Sequence, residues 1–224
     1  MGGSTVECVQ SWPAGSHARG EFPLWRGDAD SAFCIAAPDG AQALFVARAD
    51  GTDGPRTPLR QPARAPESWS TANAGLTFIT LIDDDYDVWF HSMADSSNMP
   101  VAVRPGSAQY GSQFSPDGHW IAYESNETGE FEIYVTAFPP AGTPRQVTRG
   151  GGRRPMWSAD GRELFFDDGH RLSVTAVSNQ PTLSFDTPKT LPITGFVQGD
   201  ARRQYDLVPD GRFLMLVYGS NDVR

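Results

Sequence analysis

Short apolar runs, rich in β-branched and aromatic residues and bounded by turn formers, fill most of the chain, and long helical periodicity is hard to find. Four times a large hydrophobic residue is followed, seven positions later, by the first large apolar residue of a strand-like run. The pairs are Trp69 and Leu76, Phe114 and Ile121, Trp157 and Leu164, and Leu207 and Leu214. Between them lie Thr71-Ala72-Asn73, Pro116-Asp117-Gly118, Ala159-Asp160-Gly161 and Pro209-Asp210-Gly211. Proline presets φ, aspartate hydrogen-bonds its own backbone and glycine accepts positive φ, so each stretch reads as a tight turn between antiparallel strands. Asn73 stands where the other copies carry glycine and reads as the left-handed residue of its turn. The copies recur at 43 to 50 residues, which marks a repeat architecture.

The copy at Phe114 is the cleanest. Strands are predicted over 113–115, 120–124, 131–135 and 145–148, and four antiparallel strands in this length make one propeller blade. The same plan predicts blades at about 66–104, 111–149 and 154–194, a partial blade over 203–218 and another over 38–60. The expected fold is all-β: a β-propeller of four-stranded antiparallel blades, four or five in number, spanning 31–224. Residues 1–30 read as an irregular N-terminal arm. Two arrangements stay open for the ends. Strands at 43–47 and 56–60 complete the 205–218 pair and close a ring, or the chain is a fragment of a larger propeller.

Composition narrows the function more than the fold. A formal charge of −9 lacks the basic footprint of a nucleic-acid binder. No run reaches the ~18 apolar residues needed to insert in a membrane, and Met1 to Glu21 lack the basic and apolar regions of a secretory signal. The expectation is a soluble chain, cytoplasmic, or periplasmic if cut from a larger protein. Cys8 and Cys34 lie outside the clear repeats, match no redox or zinc spacing, and read as thiols rather than a disulfide.

In a propeller the first strand of each blade lines the channel, so loops alternate between two faces. The Pro-Asp-Gly turns fall on one. The opposite face gathers Arg64 and Glu67, Arg149, Arg153 and Arg154, and Arg202 and Arg203 near the channel mouth. Of these, Arg153, Arg154, Arg202 and Arg203 are the candidate ligand site, since arginines at a mouth suit a carboxylate or phosphate. More peripheral are Asp83, Asp84, Asp85 and Asp87, then Glu127, Glu130, Asp167, Asp168 and His170. The run from Asp83 to Asp87 lacks the interior glycine and terminal glutamate of a helix-loop-helix calcium loop and reads as a charged turn. No nucleophile elbow is present, the histidines are scattered, and Trp69, Phe114 and Trp157 read as packing between blades. No catalytic residue, metal or cofactor is therefore assigned.

The element Phe114-Ser115-Pro116-Asp117-Gly118-His119-Trp120-Ile121-Ala122-Tyr123, with Glu132-Ile133-Tyr134-Val135 and the copy from Trp157 to Phe165, resembles the TolB-like β-propeller repeat. The order of these features, ending in Tyr205 to Met215, is similar to the C-terminal propeller region of bacterial serine/threonine protein kinases. No kinase motif is present. The resemblance implies a sensing or interaction module. The leading expectation is a non-catalytic propeller that binds a protein or peptide partner as the sensor or scaffold part of a signalling protein, with homodimerisation through open blade edges as a further form of partner. The alternative is a propeller enzyme or enzyme accessory domain, glycoside-active or peptidase-associated.

Overall fold

The computed structural model describes residues 21–26, 30–36, 43–48, 50, 56–59, 63–179, 182–193, 195, 203, 205–208 and 211–216. In chain order the first sheet holds β1 (Glu21–Trp25), β2 (Ser31–Ala36), β3 (Ala43–Arg48) and β4 (Arg56–Leu59). The second holds β5 (Ala65–Ser70), β6 (Gly75–Ile82), β7 (Asp85–Ser92) and β8 (Asn98–Ala102). The third holds β9 (Gln109–Phe114), β10 (Trp120–Ser125), β11 (Glu132–Ala137) and β12 (Arg145–Gln146). The fourth holds β13 (Arg153–Trp157), β14 (Glu163–Asp167), β15 (Leu172–Ser178), β16 (Ser184–Phe185) and β17 (Lys189–Thr190). A two-stranded sheet of β18 (Tyr205–Leu207) and β19 (Phe213–Met215) follows. Every pairing is antiparallel, and each sheet is a blade built from consecutive strands.

Successive side chains of a strand point to opposite faces, and here both faces of a blade are covered by its neighbours. Leu76 and Phe78 of β6 pack toward the first blade with Phe33 and Ile35. Ile121 and Tyr123 of β10 meet Val88 and Phe90 of the second blade, while Ala122 joins Trp157 and Leu164 of the fourth. In the fourth blade Leu164 and Phe166 face back, and Phe165 faces on to Tyr205 and Phe213. Runs such as Leu164-Phe165-Phe166 are continuously apolar for this reason, and the core is a fan of seams between blades. Trp69, Phe114 and Trp157 belong to those seams. Trp69 stacks on Phe33, Phe114 meets Phe90 and Phe138 edge-on, and the Trp157 indole donates to the Gln113 carbonyl at 3.2 Å.

The structure departs from the sequence reading in three places. The first blade is complete from Glu21, so strands β3 and β4 are the third and fourth of their own sheet and do not complete the C-terminal pair. Part of the segment read as an arm is therefore a strand. Pro23 hid it, because proline breaks a strand pattern and is tolerated where pairing is irregular; the β1–β2 register shifts between Glu21 and Leu24. The Pro38-Asp39-Gly40 turn and Cys8 lie outside the described residues, and Cys34 is buried in β2.

In the second blade the left-handed residue is Ala74, at φ 46°, not Asn73. Asn73 spends its side chain elsewhere, donating to Ser70 Oγ at 2.9 Å and across the seam to the Gly118 carbonyl at 2.9 Å. In the third and fourth blades the turns are duplicates. Ser115 and Ser158 donate to Asp117 and Asp160 at 2.6 and 2.7 Å and accept from the amides of Trp120 and Glu163 at 3.0 and 2.9 Å.

The third departure concerns the last repeat. Trp69 pairs with Leu76, Phe114 with Ile121 and Trp157 with Leu164, as the spacing predicts, but Leu207 pairs with Phe213. That turn is one residue shorter, so Leu214 falls opposite Asp206. A slip of one residue sends a side chain to the other face of the sheet. Leu76, Ile121 and Leu164 are all 0% exposed, whereas Leu214 is 68% exposed.

Candidate functional site

An open cavity of about 1040 Å³ lies on the channel side of the second to fifth blades. Its walls come from the first strands of successive blades: Pro66 and Glu67 on β5, Tyr110 to Ser112 on β9, Arg154 and Pro155 on β13, and Tyr205 and Asp206 on β18. Ile79, Leu81 and Tyr86 of the second blade line it too, as do Leu214, Met215 and Leu216 of the fifth.

Around this cavity three carboxylates bind the seams, and the repeat explains two of them. Three positions after Leu76, Ile121 and Leu164 stand Ile79, Glu124 and Asp167, each opposite the first-strand residue Ala65, Tyr110 or Arg153. Glu124 therefore faces the fourth blade, where it accepts from Arg153 Nε at 2.8 Å. The Arg153 guanidinium also donates to the Tyr110 hydroxyl at 2.8 Å and lies over the Phe131 ring, 4.5 Å from its centroid. Asp167, fully buried, holds Arg154 through Nε at 2.8 Å and a second, shorter contact, and it accepts from the Gly169 amide. The Tyr205 hydroxyl of the fifth blade lies 3.1 Å from the Arg154 carbonyl and 3.3 Å from Asp167. Burial pushes Glu124 upward in pKa and Arg153 pulls it back; burial and the Asp167 charge hold Tyr205 well above the usual phenol range.

The second blade breaks the pattern. Ile79 takes the acid's place, and the carboxylate comes from Glu67 on the first strand instead. Its Oε1 accepts from the Gly111 amide at 2.6 Å and its Oε2 from the Ser112 amide at 2.9 Å, with a short contact from the Ser112 hydroxyl. The Ser112 hydroxyl also lies 2.8 Å from Thr77 Oγ1. Gly111 sits at φ 65° between the two acids, and a Cβ there would come 2.7 Å from Glu124 Oε1. Burial pushes the Glu67 carboxyl up to about 7; the bonds from Ser112 and Gly111 oppose the push and the Glu124 charge adds to it.

The four arginines singled out from sequence are not gathered as one set. Arg154 and Arg203 line the cavity, Arg153 is turned into the seam behind it, and Arg202 lies outside the described residues. The charges of Arg153 and Arg154 are neutralised by Glu124 and Asp167 before any ligand arrives, and Arg203 donates to the carbonyls of Tyr205 and Pro155 at 2.9 and 3.2 Å. Arg153 and Arg203 brace neighbouring blades, and Arg154 braces its own. Spacing from the seven-residue pairs places Glu124 and Asp167 at one repeat position, and that signal was available in the sequence. The sequence placed Glu67 among the charges near the channel mouth but did not mark it as a site residue, because the repeat has no acid there in the other copies.

The peripheral acids have local tasks. Asp83 and Asp84, at φ 52° and 66°, form the two-residue hairpin turn between Ile82 and Asp85, a conformation aspartate tolerates. Asp85 accepts from the Gly106 amide at 2.8 Å, Glu127 pairs with Arg104, and Asp168 accepts from the amides of His170 and Arg171. Among the described residues no group of three His, Cys, Asp or Glu is placed to hold a metal ion.

No family model and no curated protein matches the chain. Solved structures do. A protein from Agrobacterium tumefaciens assigned as TolB superposes with TM-score 0.63 at 17% identity, over 86% of this chain and 72% of that one. TolB from Acinetobacter baumannii gives 0.58 at 18% identity, over 86% and 52%. An oligogalacturonate lyase in complex with manganese gives 0.63 at 15% identity, over 89% and 62%. With the sheet topology, these likenesses show the fold: the chain is a β-propeller whose structural neighbours are TolB-like. Of these three the lyase is named as an enzyme and the two TolB structures are not, so the fold carries no activity by itself. No described helix is long and apolar enough to cross a membrane.

Proposed function

We propose that the chain is a non-catalytic β-propeller module that binds a protein or peptide partner at the cavity on the channel side of its second to fifth blades. The observation that carries this reading is Leu214. The repeat buries the residue seven positions on in the three other copies, yet here a shorter turn delivers a leucine, 68% exposed, to the cavity wall. Leu216, at 59%, and Tyr86, at 38%, add apolar surface on the same cavity. Exposed apolar side chains collected at a concavity, rimmed by charged groups, are the usual makings of a protein-docking site. The buried acids Glu124 and Asp167 are committed to Arg153 and Arg154, which favours a binding role over a hydrolytic one. The resemblance to propeller regions of bacterial serine/threonine kinases makes a sensor or scaffold in a signalling protein the natural setting.

Selection of peptides from a displayed random library, followed by titration against Leu214→Asp and Tyr86→Ala, tests the reading. Peptides that bind the native protein and lose affinity for both variants support it. A library that yields no cavity-dependent binder refutes it. Sedimentation of the chain over a range of concentrations tests the further proposal of a homodimer through blade edges.

A further inference from the structure

Of the three carboxylates that bind the seams around the cavity, two have an arginine of the protein's own as counter-charge and, among the described residues, the third has none. Glu124 is paired with Arg153 and Asp167 with Arg154, whereas every bond to Glu67 comes from a neutral donor, the amides of Gly111 and Ser112 and the Ser112 hydroxyl. Glu67 is half-buried in the cavity wall, and Tyr86 and Tyr110 meet edge to face at 6.1 Å along the same wall. A carboxylate withdrawn from water is costly without an opposite charge. The Tyr110 ring already has the Arg153 guanidinium over it at 5.7 Å, so Tyr86, on the same wall, is the tyrosine that can attract a further cation.

We propose that Glu67 is the acceptor for a basic side chain, lysine or arginine, carried by the partner, with Tyr86 flanking the incoming cation and Leu214 and Leu216 holding the apolar residues around it. This rests on the peptide-docking reading and names the partner's chemistry. Each Glu67 oxygen already accepts amide hydrogen bonds on one side, so its orientation is set before the ligand arrives. Oε2 also takes the Ser112 hydroxyl, so three of about four acceptor positions are filled, and the one left, on Oε1, is what a partner's N–H would take.

The other charged groups do not compete for that role. Glu124, from the third blade, is occupied by Arg153. Across the opening, Arg154 is held by Asp167, and Arg203 by two carbonyls with Asp206 3.8 Å away. Arg64, just before β5, is exposed. Burial raises two wall carboxyls, Glu67 to about 7 and Glu124 against the opposing pull of Arg153.

The test is a displayed random peptide library selected on the native protein at pH 8, with binders titrated against Glu67→Gln. Enrichment of Lys or Arg at one position, with affinity falling about tenfold or more in Glu67→Gln, is the expected result. Acetylating that lysine should weaken binding to the native protein and change little in Glu67→Gln, the signature of a direct pair. On the unmutated protein, affinity for the basic peptide should fall as pH drops from 8 to 5, because protonation removes the acceptor charge. Peptides that need Leu214 but carry no basic residue, or that bind Glu67→Gln and the native protein equally at every pH, overturn this proposal and leave the docking reading standing. Failure to select any cavity-dependent peptide overturns both.

Discussion

Asp167 offers the sharpest test of how the blades are held together. It is fully buried, bonded to Arg154, to the Gly169 amide at 2.8 Å and to the Tyr205 hydroxyl of the next blade at 3.3 Å. Asp167→Ala strands a guanidinium that is itself 8% exposed and removes an acceptor for two further donors. Breaking a buried pair by removing one partner costs about 3–5 kcal/mol, chiefly because the surviving charge is left unpaired. In a protein of this size each kcal/mol is worth ~2–4 °C in melting temperature, so a loss of roughly 10 °C is expected. The measurement is urea and thermal unfolding of Asp167→Ala, Arg154→Ala and the double variant. The double variant should lose less than the sum of the singles, since no uncompensated charge remains. Trypsin should also cut the fifth blade sooner in Asp167→Ala, because Tyr205 anchors that blade to the fourth. A loss under about 1 kcal/mol, or strict additivity, would show that water satisfies this charge and that the seam does not depend on the pair.

Three further outcomes follow from the same geometry. Leu164→Ala should cost about 2–5 kcal/mol, while Leu214→Asp should stay within about 0.5 kcal/mol; equal losses in denaturant would mean that the last repeat keeps the register of the others. Gly118→Ala should cost about 1–3 kcal/mol in thermal unfolding, because φ is 74° and a Cβ would come 2.7 Å from Asn73 Nδ2. For Glu67 the folded carboxyl stands near 7 against 4.5 ordinarily, so the folded state holds its proton over that interval and the unfolded chain does not. Stability should therefore fall as pH rises from 4.5 to 7, by at most about 3 kcal/mol relative to Glu67→Gln, and then level off; a difference between the two that is flat with pH would mean the amide donors outweigh burial.

Much of the fold was legible in the repeat. Where a copy keeps the full seven-residue spacing, as at Phe114 and Trp157, strand order, turn type and seam packing all follow, since the turn chemistry is local and the apolar alternation has one consistent burial. The failures were also local in origin. Pro23 concealed the first strand, and a single residue missing from the turn after Leu207 moved Leu214 to the opposite face while leaving the motif recognisable. The site was less legible than the fold. Arginines close in sequence suggested a shared anion-binding mouth, but the strands aim Arg153 and Arg154 at two different acids.

The chain alone determined that the protein is all-β, built of blades and poor in the features of a nucleic-acid binder, because hydrophobic period, turn residues and net charge are additive along a sequence. Only the tertiary structure decided which charges cancel. Glu124, Asp167 and Glu67 are alike in charge, but Glu124 meets Arg153 of the next blade, Asp167 meets Arg154 of its own, and Glu67 meets neutral donors of the next blade, 44 residues on at Gly111. The apposition of blades left Glu67 facing the cavity with neutral donors behind it. That position, rather than any motif, makes it the residue on which partner recognition is proposed to turn.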